Sequence, residues 1–165
     1  HDNALRISTT DYGIKDKVDV IVTNPPYGER LLEKREAEAL YRSWEKDAQA
    51  EEYLVEDAEL VLTAYGISAR ICKSAVELLR AQGVKAGLIR PITVHPFPYA
   101  AYDHIDYKKV KAVLDVEMSI PAQFVNDVLV GVKDRCRVEK CLCSGGNIMS
   151  RDKVLAAVKK IMEGK

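Results

Sequence analysis

The alternation of two hydrophobic periods after Glu59 is the feature that most constrains the fold. Short apolar runs of strand type recur along this part of the chain, and segments with apolar residues at helical spacing separate several of them. Strands that alternate with helices are typical of βαβ crossover units, whose strands lie parallel in one sheet. The sequence therefore predicts an α/β domain with three layers, in which helices flank a mostly parallel sheet.

Turn and cap residues place the ends of these elements. Strands are expected at 60–65, 84–90, 110–116 and 138–142. Gly83 stands where the C-terminal cap of the first helix is expected, and Gly145 with Gly146 marks a turn. Pro121 suits the first turn of a helix whose apolar face is Phe124, Val125, Val128, Leu129 and Val132. Ser150 is expected to cap the last helix.

The first third of the chain has a different character. Residues 18–23, VDVIVT, predict a buried strand that the sequence NPP terminates, and the charged residues 29–44 predict a helix. Residues 51–59, EEYLVEDAE, are strongly acidic and predict a surface connection near a domain boundary. We therefore expect a segment at 1–46 and a separate domain at 47–165.

The composition gives no support for nucleic-acid binding, membrane association or secretion. The 25 basic and 25 acidic residues balance, which gives no electrostatic reason to expect binding to nucleic acid or to an anionic membrane. No apolar run approaches the roughly 20 residues that span a bilayer. The chain begins without Met or a secretion signal, so we expect a fragment or a processed chain located in the cytoplasm.

The four cysteines do not match the spacing of common metal sites. Cys72 stands alone, and Cys136, Cys141 and Cys143 form a C-x4-C-x-C group. Zinc sites use paired C-x2–4-C elements, and ferredoxin clusters use four thiolates at other spacings. We therefore expect no metal and four free thiols in a reducing compartment.

An ordered series of motifs carries a family resemblance. Residues 64–98 read AYGISARICKSAVELLRAQGVKAGLIRPITVHPFP, followed by LDVEMSIPAQFVNDV at 114–128 and CSGGNIMSRDKVLAAVKKI at 143–161. This series resembles the C-terminal domain of the α subunit of 2-oxoacid:ferredoxin oxidoreductases, nearest the 2-ketoisovalerate and 2-oxoglutarate enzymes. The resemblance spans 47–161 and implies a transketolase C-terminal-like fold. It departs at Ser119 and Ala122, where the family pattern has Asn and Gly.

The resemblance implies a thiamine-dependent oxidative decarboxylation of a 2-oxoacid, with electrons passing through iron–sulfur clusters to ferredoxin. In that family, thiamine diphosphate is held by a different α-subunit domain and by the β subunit. The implied role is packing and assembly, with a thiamine-binding β subunit and a ferredoxin-like subunit as partners. The chain has no recognisable stretch for thiamine, magnesium or clusters. The isolated chain is therefore expected to bind no cofactor, to hold no catalytic residue and to be inactive.

Candidate anion or interface contacts lie at the expected carboxyl ends of the strands, where α/β sheets gather ligands. Gly66 and Ser68 open a helix whose free N–H groups, with Arg70 one turn on, suit an anion. Alternatively, Gly66 and Ser68 only form a turn and a cap. Glu117 is expected to pair with Arg90 or Arg70.

Two further residues of the loops complete the candidate set. His95 lies between prolines in TVHPFP, where it either approaches an active site or is held by packing alone. Gln123 either contacts a partner subunit or caps its helix.

A second resemblance lies before this domain. The sequence DVIVTNPPYG at 19–28 resembles S-adenosylmethionine-dependent amino methyltransferases. The resemblance implies that Asn24 and the Pro25 carbonyl accept hydrogen bonds from the target amino group, and that Tyr27 stacks on the flipped base. Pro26 completes the motif. Only 23 residues precede Asn24, and no glycine-rich cofactor loop is present. The alternative function is a fragment of an N6-adenine DNA or RNA methyltransferase, and nucleic acid is expected as a partner only under it. Otherwise NPPY is a turn that ends a strand.

Overall fold

The computed structural model describes residues 46–164 of the chain, and these residues form one mixed sheet with helices on both faces. The strands are β1 (Ala50–Tyr53), β2 (Leu60–Thr63), β3 (Ala86–Pro91), β4 (Ala112–Glu117) and β5 (Arg137–Leu142). The helices are α1 (Gly66–Ala81), α2 (Val125–Val132) and α3 (Arg151–Met162), with a 3-10 helix at Tyr99–His104. The strand expected at 18–23, the helix expected at 29–44 and the NPPY motif lie outside the described residues.

The strand order is β1-β3-β2-β4-β5. Strands β2 to β5 run parallel, whereas β1 pairs antiparallel with β3, so that Ala50 lies opposite Pro91. The mostly parallel, three-layer α/β prediction is confirmed, and the four expected strands correspond to β2–β5.

The core has one part on each face of the sheet. Leu60 and Leu62 of β2 point to the face covered by α1 and α3, while Val61 points to the face covered by α2 and the 3-10 helix. Strands β2, β3 and β4 are therefore buried on both faces, which explains why they read as almost continuous apolar runs, whereas the edge strand β5 is largely exposed.

Three predictions about elements are wrong. Residues 51–59 do not form a surface connection throughout, because Ala50–Tyr53 is an edge strand. Its charged side chains are common on edge strands, but they give the sequence no apolar pattern that would predict a strand. Pro121 is not in the first turn of a helix, because α2 begins at Val125. Leu129, expected on the buried face of α2, is 45% exposed.

The expected turns and the last cap are confirmed. The Ser150 hydroxyl accepts a hydrogen bond from the Lys153 backbone N–H at 3.2 Å, and this bond fixes the start of α3. Gly83 follows α1 with φ +83°, and Gly145 and Gly146 also have positive φ. A left-handed backbone at these positions favours glycine.

Candidate functional site at the carboxyl edge of the sheet

Strands β2 and β4 lie side by side, but the chain leaves them towards opposite faces. Helix α1 follows β2 and packs on one face, and α2 follows β4 and packs on the other. In open α/β sheets, this reversal opens the crevice in which ligands bind. Thr63 and Asp115 are neighbours in register at this point. A ligand site is therefore expected first at the carboxyl ends of β2 and β4.

Glu117 ends β4 and is almost fully buried. Its carboxylate accepts hydrogen bonds from the Ser119 hydroxyl and from the backbone N–H groups of Gln123, Phe124 and Val125, the last three at 3.2 to 3.3 Å. Burial raises the pKa of Glu117, but these hydrogen bonds outweigh it and the net pKa is lowered. Glu117 therefore stays ionised and caps the start of α2.

The expected ion pair of Glu117 with Arg90 or Arg70 is wrong. The Arg90 Nη1 atom donates to the Glu51 carboxylate at 3.1 Å, on the far side of β3 from β4. Arg70 is exposed on α1. Glu117 lies beneath the first turn of α2, where the backbone N–H groups have no partners within the helix. The Glu117 carboxylate therefore binds these N–H groups and not an arginine.

Asp115 lies two residues before Glu117, on the same face of β4, and is fully buried. Neither of its ionised oxygens has a hydrogen-bond partner among the described residues. Burial, and after it the negative charge of Glu117, raise the pKa of Asp115 to about 8. The pKa of Asp115 is thus raised while that of Glu117 is lowered, which favours a proton on Asp115 rather than on Glu117.

Aromatic hydroxyls surround this carboxyl pair. Burial and the charges of Glu117 and Asp115 raise the pKa of Tyr65, whose ring packs on Phe124 at 5.0 Å. The hydroxyls of Thr63 and Tyr102 share a hydrogen bond of 2.6 Å. Thr63 and Tyr102 thus satisfy each other, and the start of α2 satisfies Glu117, whereas Asp115 has no hydrogen-bond partner among the described residues.

The expected anion contacts lie at the start of α1. Gly66 is the first residue of α1 and has φ +56°, which agrees with the turn that the sequence predicts. The expected cap by Ser68 is wrong, because the N-cap residue is Tyr65, no side chain caps it, and Ser68 is buried inside the first turn. Arg70 projects into solvent. Contact of these residues with an anion or with a partner subunit stays a prediction.

His95 and Gln123 lie in the loops that follow β3 and β4. His95 is exposed, next to the buried Phe97. Gln123 is exposed and precedes Phe124, which is the N-cap residue of α2, so Gln123 does not occupy the cap position. Their expected interface contacts also stay predictions.

The sequence reading missed a set of exposed apolar side chains at this edge, here called the carboxyl-edge surface. Its members are between 39% and 69% exposed and follow the ends of all four parallel strands: Tyr65, Ile67, Val94, Met118, Ile120 and Ile148. The sequence shows that these residues follow strands, but it gives no sign that they face solvent.

Contacts connect the loops that carry these residues. The rings of Tyr65 and Phe97 pack on Phe124 at 5.0 and 5.7 Å, which connects the loops after β2, β3 and β4. The Met149 backbone N–H donates to the Met118 sulfur at 3.4 Å, which connects the loops after β4 and β5. The loops that carry these exposed residues are therefore tied to one another across the sheet.

The cysteines do not fit an iron–sulfur cluster. Cys141 Sγ lies 3.8 Å from Met149 Sδ, and Cys143 Sγ lies 3.6 Å from the Asn147 carbonyl oxygen. Burial raises the pKa of Cys72 and Cys141, which disfavours the thiolate that binds metal. Within residues 46–164, no group of three or more His, Cys, Asp or Glu side chains is placed to hold a metal ion. The same part of the chain has no helix long and apolar enough to span a bilayer.

Two family models match the chain. The model described as pyruvate:ferredoxin oxidoreductase core domain II matches residues 58–154, which is more than half of the sequence. The model described as an RMKL-like methyltransferase domain matches residues 5–85.

Curated relatives belong to oxidoreductases. The ketoisovalerate oxidoreductase subunit VorB of Methanothermobacter marburgensis is 42% identical over 118 residues, which cover 71% of this chain and 32% of the relative. The 2-oxoglutarate synthase subunit KorA of Methanothermobacter thermautotrophicus is 30% identical over 138 residues, which cover 82% of this chain and 36% of the relative. The chain thus spans about a third of the length of these relatives.

Solved structures agree on the fold. A 2-oxoglutarate:ferredoxin oxidoreductase from Magnetococcus marinus aligns with a TM-score of 0.66 at 19% identity, over 78% of this chain and 22% of that chain. A split-gene transketolase aligns with a TM-score of 0.58 at 19% identity, over 70% of this chain and 41% of that chain. At this identity the likeness shows the fold alone, which is transketolase-like. Together with the family model that covers most of the sheet, these findings show that the chain belongs to the pyruvate:ferredoxin oxidoreductase core domain II family.

Proposed function

We propose that this chain is a domain of the α subunit of a thiamine-dependent 2-oxoacid:ferredoxin oxidoreductase, and that it acts in packing and assembly. The 42% identity to a ketoisovalerate oxidoreductase subunit supports a branched-chain 2-oxoacid as the substrate of the complex. Because the cysteines are free, the proposed location is the reducing cytoplasm.

The carboxyl-edge surface is the observation that carries the assembly role. Six apolar side chains lie exposed at one end of the sheet, and the loops that carry them contact one another through buried residues. Fully burying an exposed large apolar side chain contributes about 1.5–3 kcal/mol. These side chains are 39–69% exposed, so each contributes roughly half of that when a partner covers it. The exposed candidate residues Arg70, His95 and Gln123 lie at the same edge and would form its polar rim.

The chemistry is assigned to other parts of the complex. Glu117 is bound by backbone N–H groups, and the cysteines lie in packed surroundings, so the described residues do not fit a thiamine, magnesium or cluster site. We therefore propose that a thiamine-binding β subunit and a ferredoxin-like subunit are the partners, and that the isolated chain does not turn over a 2-oxoacid.

Co-purification tests this proposal. The tagged chain, co-expressed with the thiamine-binding subunit of a 2-ketoisovalerate:ferredoxin oxidoreductase, is expected to retain that subunit on an affinity column. Ile67→Asp and Ile120→Asp should each reduce the retained amount severalfold, because each places a charge on the carboxyl-edge surface.

Leu54→Asp is the matched control. Leu54 is also an exposed apolar residue, but it follows β1 at the opposite edge of the sheet, and its φ of +54° suits Asp. Equal loss of the partner in all three variants, or no retention of the partner by the unmodified chain, would contradict the assembly role.

A second function has one observation in its favour. The RMKL-like methyltransferase model matches residues 5–85, which include Asn24, Pro25, Pro26 and Tyr27. Under this alternative the chain is a fragment of an S-adenosylmethionine-dependent methyltransferase that acts on DNA or RNA. Titration calorimetry with S-adenosylmethionine separates the two functions: saturable heat would support the methyltransferase, and its absence at millimolar ligand would exclude it.

A further inference from the structure

Strand β5 lies at one edge of the sheet, and within residues 46–164 it pairs with β4 alone. The Cys143 N–H donates to the Glu117 carbonyl oxygen at 3.2 Å, so the backbone at Cys143 faces β4. Because the backbone groups of a strand point alternately to its two sides, those of Val138 and Lys140 point away from β4. These N–H and C=O groups are therefore available to a further strand.

A groove of about 400 Å³ runs beside this open edge, between β5 and α3. Ala156 and Ala157 of α3 line the groove, and their small side chains leave the space open. Towards the carboxyl end of β5, the Leu142 carbonyl oxygen accepts from Lys153 Nζ at 2.6 Å, so this acceptor is already bound. A strand that adds to β5 would therefore pair with the middle of β5 and project side chains into the groove.

The charges that line the groove are mostly positive. Lys140, Lys153 and Lys160 are exposed and line it, together with the half-buried Glu139. Glu139 lies 3.8 Å from Arg137, so its charge already has a positive neighbour. Within the described part of the chain, neither Lys140 nor Lys160 forms an ion pair with a carboxylate. The groove therefore has an excess of positive charge that suits an acidic occupant.

A second copy of β5 does not suit this edge. In a symmetric antiparallel pair of two β5 strands, the two central registers place either Lys140 opposite Lys140 or Glu139 opposite Glu139. Like charges directly opposite each other destabilise strand pairing. The occupant is therefore expected to be a different chain, with acidic residues.

We propose that β5 and the groove beside it bind an extended acidic segment of a partner protein. The segment adds to the sheet as a strand next to β5, and its carboxylates lie near Lys140 and Lys160. Backbone hydrogen bonds supply the affinity, while charge selects the partner. The carboxyl-edge surface uses other residues, so this binding does not depend on the assembly role proposed for that surface.

Peptide binding to the full chain tests the proposal. A fluorescently labelled peptide of sequence EVEVEVE is expected to bind saturably, as measured by anisotropy, and more weakly as salt concentration rises. The peptide KVKVKVK should bind about tenfold more weakly, because its charges repel the lysines of the groove. EVEVEVE with every backbone amide N-methylated should also bind about tenfold more weakly, because it keeps the charge but cannot donate to β5.

Charge reversal in the groove tests the role of the lysines. Lys140→Glu combined with Lys160→Glu should weaken binding of EVEVEVE about tenfold and strengthen binding of KVKVKVK. Lys159→Glu is the matched control, because Lys159 is an exposed neighbour of Lys160 on α3 that does not line the groove. It should change either affinity by less than about twofold.

Hydrogen exchange of the unmodified chain gives a measurement that requires no variant to fold. EVEVEVE should slow amide exchange severalfold in the peptide that contains Arg137–Leu142, but not at the opposite edge strand Ala50–Tyr53. The proposal is overturned if EVEVEVE does not bind saturably at millimolar concentration, or if either altered peptide binds as well. It is also overturned if the folded double variant keeps its affinity, if both edge strands are protected equally, or if β5 is protected without peptide as protein concentration rises.

Discussion

At the scale of single residues, Asp115 and Glu117 show how position decides the charge of a carboxyl group. The two side chains are on one face of β4, and both are buried. Glu117 receives three backbone N–H groups and remains ionised, whereas Asp115 has no such donors and its pKa rises to about 8. Their sequence spacing alone does not distinguish these two roles.

Asp115→Asn should change the pH dependence of stability. Because the pKa of Asp115 is about 8 when folded and near 4 when unfolded, the native state holds an extra proton between these pH values. This stabilisation is fully present below about pH 4 and is lost as pH rises to about 8, by up to about 1.4 kcal/mol per pH unit. Urea unfolding at several pH values gives the free energy of unfolding of wild type and of Asp115→Asn. The difference, wild type minus variant, should decrease from about pH 4 to about pH 8. A difference that is independent of pH would contradict the raised pKa.

Glu117→Gln should destabilise the domain by about 3 kcal/mol at pH 7. The amide offers one acceptor oxygen in place of two charged ones, so N–H groups at the start of α2 lose charge-assisted hydrogen bonds. Urea unfolding gives the total loss, and hydrogen exchange at Gln123–Val125 locates it. Ser119→Ala removes one donor from the same carboxylate, and a loss as large as that of Glu117→Gln would argue against the capping role.

At the scale of elements, β3 lies so close to the connection that follows β1 that Gly87 has no room for a side chain. A Cβ atom on Gly87 would lie 2.6 Å from the Leu54 carbonyl oxygen, and that carbonyl also accepts from Arg80 at 2.7 Å. Arg80 is in turn held by Asp57 at 2.6 Å. The backbone at Leu54 therefore has little freedom to move away.

Gly87→Ala is expected to lower the free energy of unfolding by roughly 1–3 kcal/mol, as overpacking does in other cores. Thermal or urea unfolding measures the loss. Lys85→Ala, at an exposed neighbouring position, should change stability by less than about 0.5 kcal/mol. Equal stability of Gly87→Ala and wild type would mean that the Leu54 connection shifts freely.

At the scale of the whole molecule, the two edges of the sheet differ. The helix N-termini and most of the exposed large apolar side chains lie at the carboxyl edge. In a parallel α/β sheet, the loops at this edge carry function, and here some of their side chains, such as Phe97, Phe124 and Met149, also pack in the core. This division separates the parts that fold the domain from the parts proposed to dock it.

Combined replacement of Ile67, Ile120 and Ile148 by Ser tests that division. Because all three side chains are more than half exposed, the free energy of unfolding should change by less than about 1 kcal/mol. Binding of an apolar dye and self-association should both decrease, since the surface loses its apolar atoms. Dye fluorescence and light scattering measure these effects, and a large loss of stability would show that the residues belong to the core.

The sequence by itself determined the parallel core of this protein. Apolar runs located β2, β3 and β4, because burial on both faces leaves a direct mark on the sequence. Ser150 located the start of α3, because a local cap needs a residue of this type. Strand β1 was missed since its charged residues gain strand structure only by pairing with β3, more than thirty residues away. The same limit applies to the site. The tertiary structure alone decided that Glu117 caps α2, that the pKa of Asp115 is raised and that apolar side chains after four strands face solvent, because each depends on neighbours distant in the chain.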